Sequence, residues 1–373
     1  MSIVKFIVVI LFSSSALASP YGINELNQKL RVAMKLHKVP VVGYAVIQNY
    51  KIIISQTLSI DPAVSVSINS IFQAASISKS VSAYGVLKLV SKEKLALDKD
   101  INKQLAGWKI PLNKFNKNNP VTLRQVLSMT SGLSVAGFPG HVQGSQLPTL
   151  NNILEGHPPA NTAPIRVFYR PGSRYFYSGG GYEVLEQLIN DTTKQPFKRW
   201  MKKEILKPLH MEQSIFQNPL PKNWRSIAVP GFLNHGNRVK GGWNNYTEAS
   251  AAGLWSTPTD LAQFAIAIAK AYFGKDNRLI NKSLAQEMLK RQNNTNYGLG
   301  VVINGQGKTL SFRKAGHNLG YHSELILFPN TGDGAIIMTN SENGEAIINY
   351  MMNLLAQTFN WPVIFFKNNF FKE

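Results

Sequence analysis

The tetrad Ser76-Ile77-Ser78-Lys79 sets a hydroxyl and an amine three positions apart, at the start of a stretch with helical apolar spacing. One helical turn therefore puts both side chains on the same face. The pairing suits acyl transfer. A serine hydroxyl is a weak nucleophile until a base takes its proton, and a lysine serves as that base only where burial or neighbouring cations keep it partly neutral. The helix N-terminus adds backbone N–H groups without intrahelical acceptors, ready for a developing oxyanion. Taken alone, the same four residues also describe a helix-capping serine followed by a solvated lysine.

Other chemistries find little support. The chain has no cysteine, which excludes a disulfide framework, a thiolate metal site and a cysteine nucleophile. Its seven histidines stand at 37, 141, 157, 210, 235, 317 and 322, none in the H-E-x-x-H spacing of a zinc helix. No metal and no cofactor is expected on that ground. Nor does a G-x-S-x-G elbow, a P-loop or a G-x-G-x-x-G turn follow a strand pattern.

The elements that must position these groups follow from periodicity. Ile23, Leu26, Leu30 and Met34 share one helical face over residues 22–38. Residues 41–47 and 52–58 are apolar and β-branched around a polar 48–51, the pattern of an antiparallel hairpin. Helical spacing returns from residue 78 to about 90 and near 122–129, 181–190, 194–206 and 258–271, with long Gly/Pro/Asn segments between. Strand patterns resume over 300–303, 310–313, 324–328 and 335–339, and a helix pattern over 345–359 closes the chain. The expected fold is α+β, with one antiparallel sheet built from both chain ends and flanked by terminal helices. The α/β lobe is expected over about 19–61 plus 275–373, with an inserted, mainly helical lobe over about 62–274.

Four further segments accompany the tetrad in order. Residues 121–133 read VTLRQVLSMTSGL, 171–182 read PGSRYFYSGGGY, 252–261 read AGLWSTPTDL, and Lys314-Ala315-Gly316 is followed by Gly320-Tyr321. Together they resemble the serine hydrolases related to class C β-lactamases and penicillin-binding D-Ala-D-Ala carboxypeptidases, in order and approximate spacing from about residue 22 to 360. The resemblance implies the β-lactamase/transpeptidase-like fold, with the active site between the two lobes. It also implies Ser76 as nucleophile, Lys79 as holder of its proton, and Tyr177 as a base or shuttle whose pKa Lys79 and Lys314 depress. Lys314 and Gly316 would bind substrate, the latter because a bare strand edge lets substrate lie against it. The oxyanion would sit between the backbone N–H groups of Ser76 and His317, with the His317 ring either lining the pocket or simply packing.

Three positions depart from the family pattern. Met129 stands where most members have histidine, Gly179 where Tyr-x-Asn has its asparagine, and Ala315 where Lys-Thr-Gly has its threonine. Loss of the asparagine amide and the threonine hydroxyl argues against efficient β-lactam turnover, because a site built to hydrogen-bond a substrate loses orders of magnitude without the group. Esters need less leaving-group assistance and remain the easier substrates.

Residues 1–20, MSIVKFIVVILFSSSALASP, carry one lysine, a short apolar run and an A-x-A site at Ala16-Leu17-Ala18, the pattern of a signal peptide over 1–18. The apolar run is too short to span a bilayer, and no later stretch is long enough. Export to a bacterial periplasm is expected. Forty Lys+Arg against twenty Asp+Glu give a formal charge of +20, which suits association with acidic cell-wall polymer. The lysines are spread along the chain and form no basic stripe with interleaved aromatics, so nucleic acid is not an expected partner. The expected partner is a small-molecule or peptide substrate: a β-lactam, a D-amino-acid peptide or an ester. Two other readings are an esterase with little β-lactam activity and a non-catalytic envelope-binding protein on the same scaffold.

Overall fold

The N-terminal helix forms because its apolar residues recur every three or four positions. In a computed structural model that describes residues 22–362, α1 spans Ile23–His37 and buries Leu26, Leu30 and Met34. The hairpin follows as β1 (Val41–Gln48) and β2 (Lys51–Ser59). Its two turn residues, Asn49 and Tyr50, both have left-handed backbone, with φ of 49° and 59°. That conformation matches the twist a two-residue hairpin turn must accommodate.

Strand β3 (Phe72–Gln73) then leads into α2 (Ile77–Ser91), which carries the serine–lysine pair. The middle of the chain supplies α3 (Leu123–Leu127), α4 (Leu150–Glu155), α5 (Gly179–Thr193), α6 (Phe197–Met201), α7 (Lys222–Arg225) and α8 (Ala249–Ala252). After β4 (Trp255–Ser256) come α9 (Pro258–Tyr272) and α10 (Lys282–Met288). The chain closes with β5 (Val302–Asn304), β6 (Ser311–Asn318), β7 (Tyr321–Phe328), β8 (Asp333–Thr339) and α11 (Gly344–Thr358).

Six strands form one sheet in the order β2-β1-β8-β7-β6-β5, every neighbouring pair antiparallel. The two chain ends therefore meet at β1 and β8, where Val42 pairs with Thr339 and Ala45 with Ile336. Because successive side chains point to opposite faces, one face of β1 gives Val42, Tyr44 and Val46 to a core shared with α1 and α11. The other gives Val41, Ala45 and Ile47 to the larger core shared with α2, α5 and α9. The architecture is α+β, as the sequence indicates.

Several details differ from the expectation. Helix α9, placed by its position within the inserted lobe, packs against β1, β7 and β8 and belongs to the sheet's covering layer. Strand β6 continues past residue 313 to Asn318, because pairing of Lys314–Asn318 with Tyr321–Leu325 supplies a ladder that local apolar pattern does not reveal. Helix α4 lies inside a segment read as loop, held by a Thr149 capping box and ended by Gly156 at φ 67°. Among the described residues no helix is long and apolar enough to cross a membrane. The signal-peptide segment 1–18 and nearly all of the Phe/Lys-rich tail 362–373 lie outside the described residues.

Candidate active site

The turn before α2 aims the serine. From residue 71 to 87 every residue is buried except Ser76, which is partly open. Its predecessor Ala75 has φ 48°, a left-handed conformation that costs a residue with a Cβ and persists only where surrounding contacts hold it. The Ala74 carbonyl accepts from Ile77 N–H at 3.1 Å and from Ser323 Oγ at 3.0 Å, tying this turn to β7.

Two groups converge on the Ser76 hydroxyl. Lys79 Nζ lies 3.1 Å from Ser76 Oγ and donates to the Ala251 carbonyl at 2.9 Å. With the lysine only 2% exposed, those partners are what make its burial tolerable. Tyr177 Oη lies 3.0 Å from the same oxygen. Tyr177 immediately precedes the N-cap Ser178 of α5, whose hydroxyl accepts from Gly181 N–H and fixes the helix start.

Lys314, on β6, completes the cluster. Its Nζ lies 3.4 Å from Tyr177 Oη and 2.6 Å from Tyr297 Oη. Burial alone would raise the Tyr177 phenol, but the Lys314 and Lys79 ammonium charges outweigh it and bring its pKa down to about 7. The same burial, helped by Lys79, pulls the Lys314 pKa below the usual lysine value. Burial first, then the neighbouring tyrosines, holds the Tyr297 phenol well above its ordinary value.

Gly316 lies against the Ser76 turn. A Cβ built there would sit 2.4 Å from the Ala74 carbonyl oxygen and 3.0 Å from Ser76 N, closer than packing allows. Besides leaving a strand edge open to substrate, as the sequence suggests, this glycine lets β6 and the Ser76 turn approach too closely for any side chain. The His317 ring, read as either lining the pocket or packing, turns away from the pocket. Its parity on β6 is opposite to that of Lys314 and Gly316, and its Nε2 pairs with Glu342 Oε2 at 3.1 Å on the far side of the sheet. The imidazole does not line the cleft.

Gly179 is more than a missing amide. A Cβ there would meet the Phe138 ring at 2.9 Å and the Ala136 carbonyl oxygen at 3.0 Å, and Gly179 N–H donates to that carbonyl. Residues 136–138 occupy the space an asparagine side chain would need. Met129, in the place of the usual histidine, takes the Ser178 N–H on its sulfur at 3.3 Å and so supports the turn that carries Tyr177.

Sequence reasoning overlooked a buried acidic group behind Lys79. Glu183 and Glu186 of α5, with Glu248 just before α8, are all buried. Glu183 accepts from Ala251 N–H at 3.0 Å and Glu186 from Ser250 N–H at 3.2 Å, so α5 pins the short helix whose Ala251 carbonyl holds Lys79. Burial first, then the neighbouring carboxylates, pushes the Glu183 pKa well up; burial raises Glu186 to about 7. Two acids three apart on an otherwise apolar helix face were the available signal. The far wall is tied down as well: Asn318 at the end of β6 donates to Gln73 Oε1 at 2.8 Å and to the Ala252 carbonyl at 3.2 Å.

Ser76 at the start of α2 thus has Lys79, Tyr177 and, one step further, Lys314 gathered about its hydroxyl, beside the Gly316 edge of β6. The beta-lactamase family model matches residues 26–357, and the chain belongs to that family. It is 23% identical over 337 residues to a putative D-alanyl-D-alanine carboxypeptidase of Salmonella typhi, covering 79% of this chain and 76% of that one. It is 25% identical over 182 residues to protein flp of Staphylococcus aureus, covering 48% of this chain but only 35% of the relative's length. Among solved structures, the octameric penicillin-binding protein homologue of Pyrococcus abyssi superposes with TM-score 0.71 at 19% identity, over 91% of this chain and 78% of that one. At that identity the last comparison speaks to fold.

Proposed function

We propose that the protein is an exported serine hydrolase that forms an acyl-enzyme on Ser76. The observation that carries this reading is the convergence of Lys79 Nζ and Tyr177 Oη on one serine oxygen, at 3.1 and 3.0 Å. As substrate reaches the cleft, the Tyr177 phenolate takes the Ser76 proton, directly or by way of Lys79, while Oγ attacks the carbonyl carbon. The oxyanion that forms is held by the Ser76 and His317 backbone N–H groups. Its collapse breaks the bond to the leaving group, which receives the proton from Tyr177. Water then repeats the sequence on the acyl-serine, giving a carboxylic acid and free Ser76.

Ester substrates fit this site better than β-lactams that must be turned over efficiently. Residues 136–138 fill the place of the family's asparagine side chain, and Ala315 offers no hydroxyl. Lys314 remains as a cation for a substrate carboxylate. The resemblance to the Salmonella carboxypeptidase supports a D-alanyl peptide among the candidates. The leader-like residues 1–18 and the formal charge of +20 support export and contact with acidic wall polymer.

The pH profile tests the assignment of the base. With the Tyr177 pKa at about 7, hydrolysis of a small ester is expected to rise as pH increases through about 7, because the phenolate is the active form. Lys314→Ala removes the largest charge that lowers that pKa, so the acid limb moves to higher pH and the rate at pH 7 falls. Lys314→Arg keeps the cation and restores part of the limb. A limb that stays near pH 7 in Lys314→Ala would remove Tyr177 from the role of base.

A further inference from the structure

We propose that His317, His322 and Glu342 form a binding site for a divalent transition-metal ion, zinc by its ligand chemistry, on the face of the sheet opposite the cleft. One nitrogen from each ring and one carboxylate oxygen lie within 4.8 Å of one another. Donors of a tetrahedral zinc with bonds of about 2.0–2.1 Å stand roughly 3.3 Å apart. His317 Nε2 and Glu342 Oε2 are already at 3.1 Å, so closure needs only side-chain adjustment.

Local structure brings the three together. His317 and His322 are directly opposite partners across the β6–β7 pairing, joined by a tight turn in which Gly320 has φ 81°. Their rings stack with centroids 4.3 Å apart. Glu342 enters from the turn between β8 and α11, and its Oε1 accepts the Gly320 N–H, which orients Oε2 toward the rings. A bond of this kind to a carboxylate fixes ligand orientation in metal sites.

An ion pair between His317 and Glu342 accounts for two of the three groups but leaves the second imidazole stacked beside them without a role. Two imidazoles and one carboxylate select zinc and its neighbours over magnesium or calcium. The His317 side chain is 56% exposed, so an ion can enter and water can fill the remaining position. The spacing rule for a zinc helix could not find such a site, since these histidines are five apart in sequence and meet only across a hairpin. Bound metal would tie the β6–β7 hairpin to the turn after β8. It would thereby stiffen the strand that presents Gly316 to Ser76, without entering the cleft.

The test is a titration of the untagged full chain with cobalt(II), read by its tetrahedral visible bands, followed by displacement with zinc. One equivalent per chain is expected, and His322→Ala and His317→Gln should each weaken binding at least tenfold. His235→Gln, at an exposed loop position, should leave it unchanged. Histidine ring proton signals of the unsubstituted protein give a second readout that needs no variant: two rings should shift with one equivalent of zinc. No saturable binding, binding that survives His317→Gln and His322→Ala, or shifts confined to other histidines would overturn the proposal.

Discussion

Tyr177→Phe is expected to lower the acylation rate about 10²- to 10⁴-fold, the range for loss of a positioned acid–base group, while leaving the fold intact. The ring stays in place: Lys79 Nζ lies 5.2 Å and Lys314 Nζ 4.8 Å from its centroid, contacts phenylalanine retains. Both ammonium groups keep other partners, the Ala251 carbonyl for Lys79 and the Tyr297 hydroxyl for Lys314. Stability should therefore change by no more than about 1 kcal/mol, the net worth of a hydrogen bond. The loss should fall on kcat with little change in KM, because the proton moves only on the way to the transition state. Single-turnover ester kinetics would read this. The acid limb near pH 7 should vanish with the phenol, and a variant retaining both rate and limb would show that Lys79 alone deprotonates Ser76.

Gly316→Ala is expected to cost at least 10²-fold in kcat/KM, although it adds one methyl group and no charge. The methyl would lie 2.4 Å from the Ala74 carbonyl oxygen and 2.5 Å from Ser323 Oγ, the two ends of the hydrogen bond that joins the Ser76 turn to β7. Something must shift. Moving β6 away from the turn by about 1 Å would misplace Lys314 and the oxyanion donors, and a displacement of that size costs about 10²-fold. Overpacking should lower stability by about 1–3 kcal/mol as well. A melting curve and an ester assay on the same sample separate the two effects. Near-native activity in Gly316→Ala would mean that β6 has room to move and that this close approach is not what aligns the site.

What could be read from the sequence, and what could not, follows the range of the interactions. The Ser76–Lys79 pair was legible because a helical turn is a local rule, and the terminal helix and hairpin because periods of 3.6 and 2 are local too. Tyr177 and Lys314 lie 137 residues apart, and no local pattern brings them together. Only the resemblance of ordered motifs pointed to them. Strand β6 was read short, since Lys314-Ala315-Gly316-His317 lacks the apolar alternation of a strand and is held by its pairing with β7. Glu183 escaped notice because its importance lies in the backbone N–H of Ala251, which only the tertiary fold delivers. The filling of the asparagine site by Phe138 was hidden for the same reason.

The most direct test of the account is the intact mass of the protein, quenched within seconds of adding a penicillin or, in parallel, an activated acyl ester, with Ser76→Ala alongside and ester consumption followed in the same samples. The account predicts an acyl adduct or ester turnover in the unsubstituted protein, with both lost in Ser76→Ala. Unchanged labelling and turnover in Ser76→Ala, or neither in the unsubstituted protein with either reagent, would contradict it.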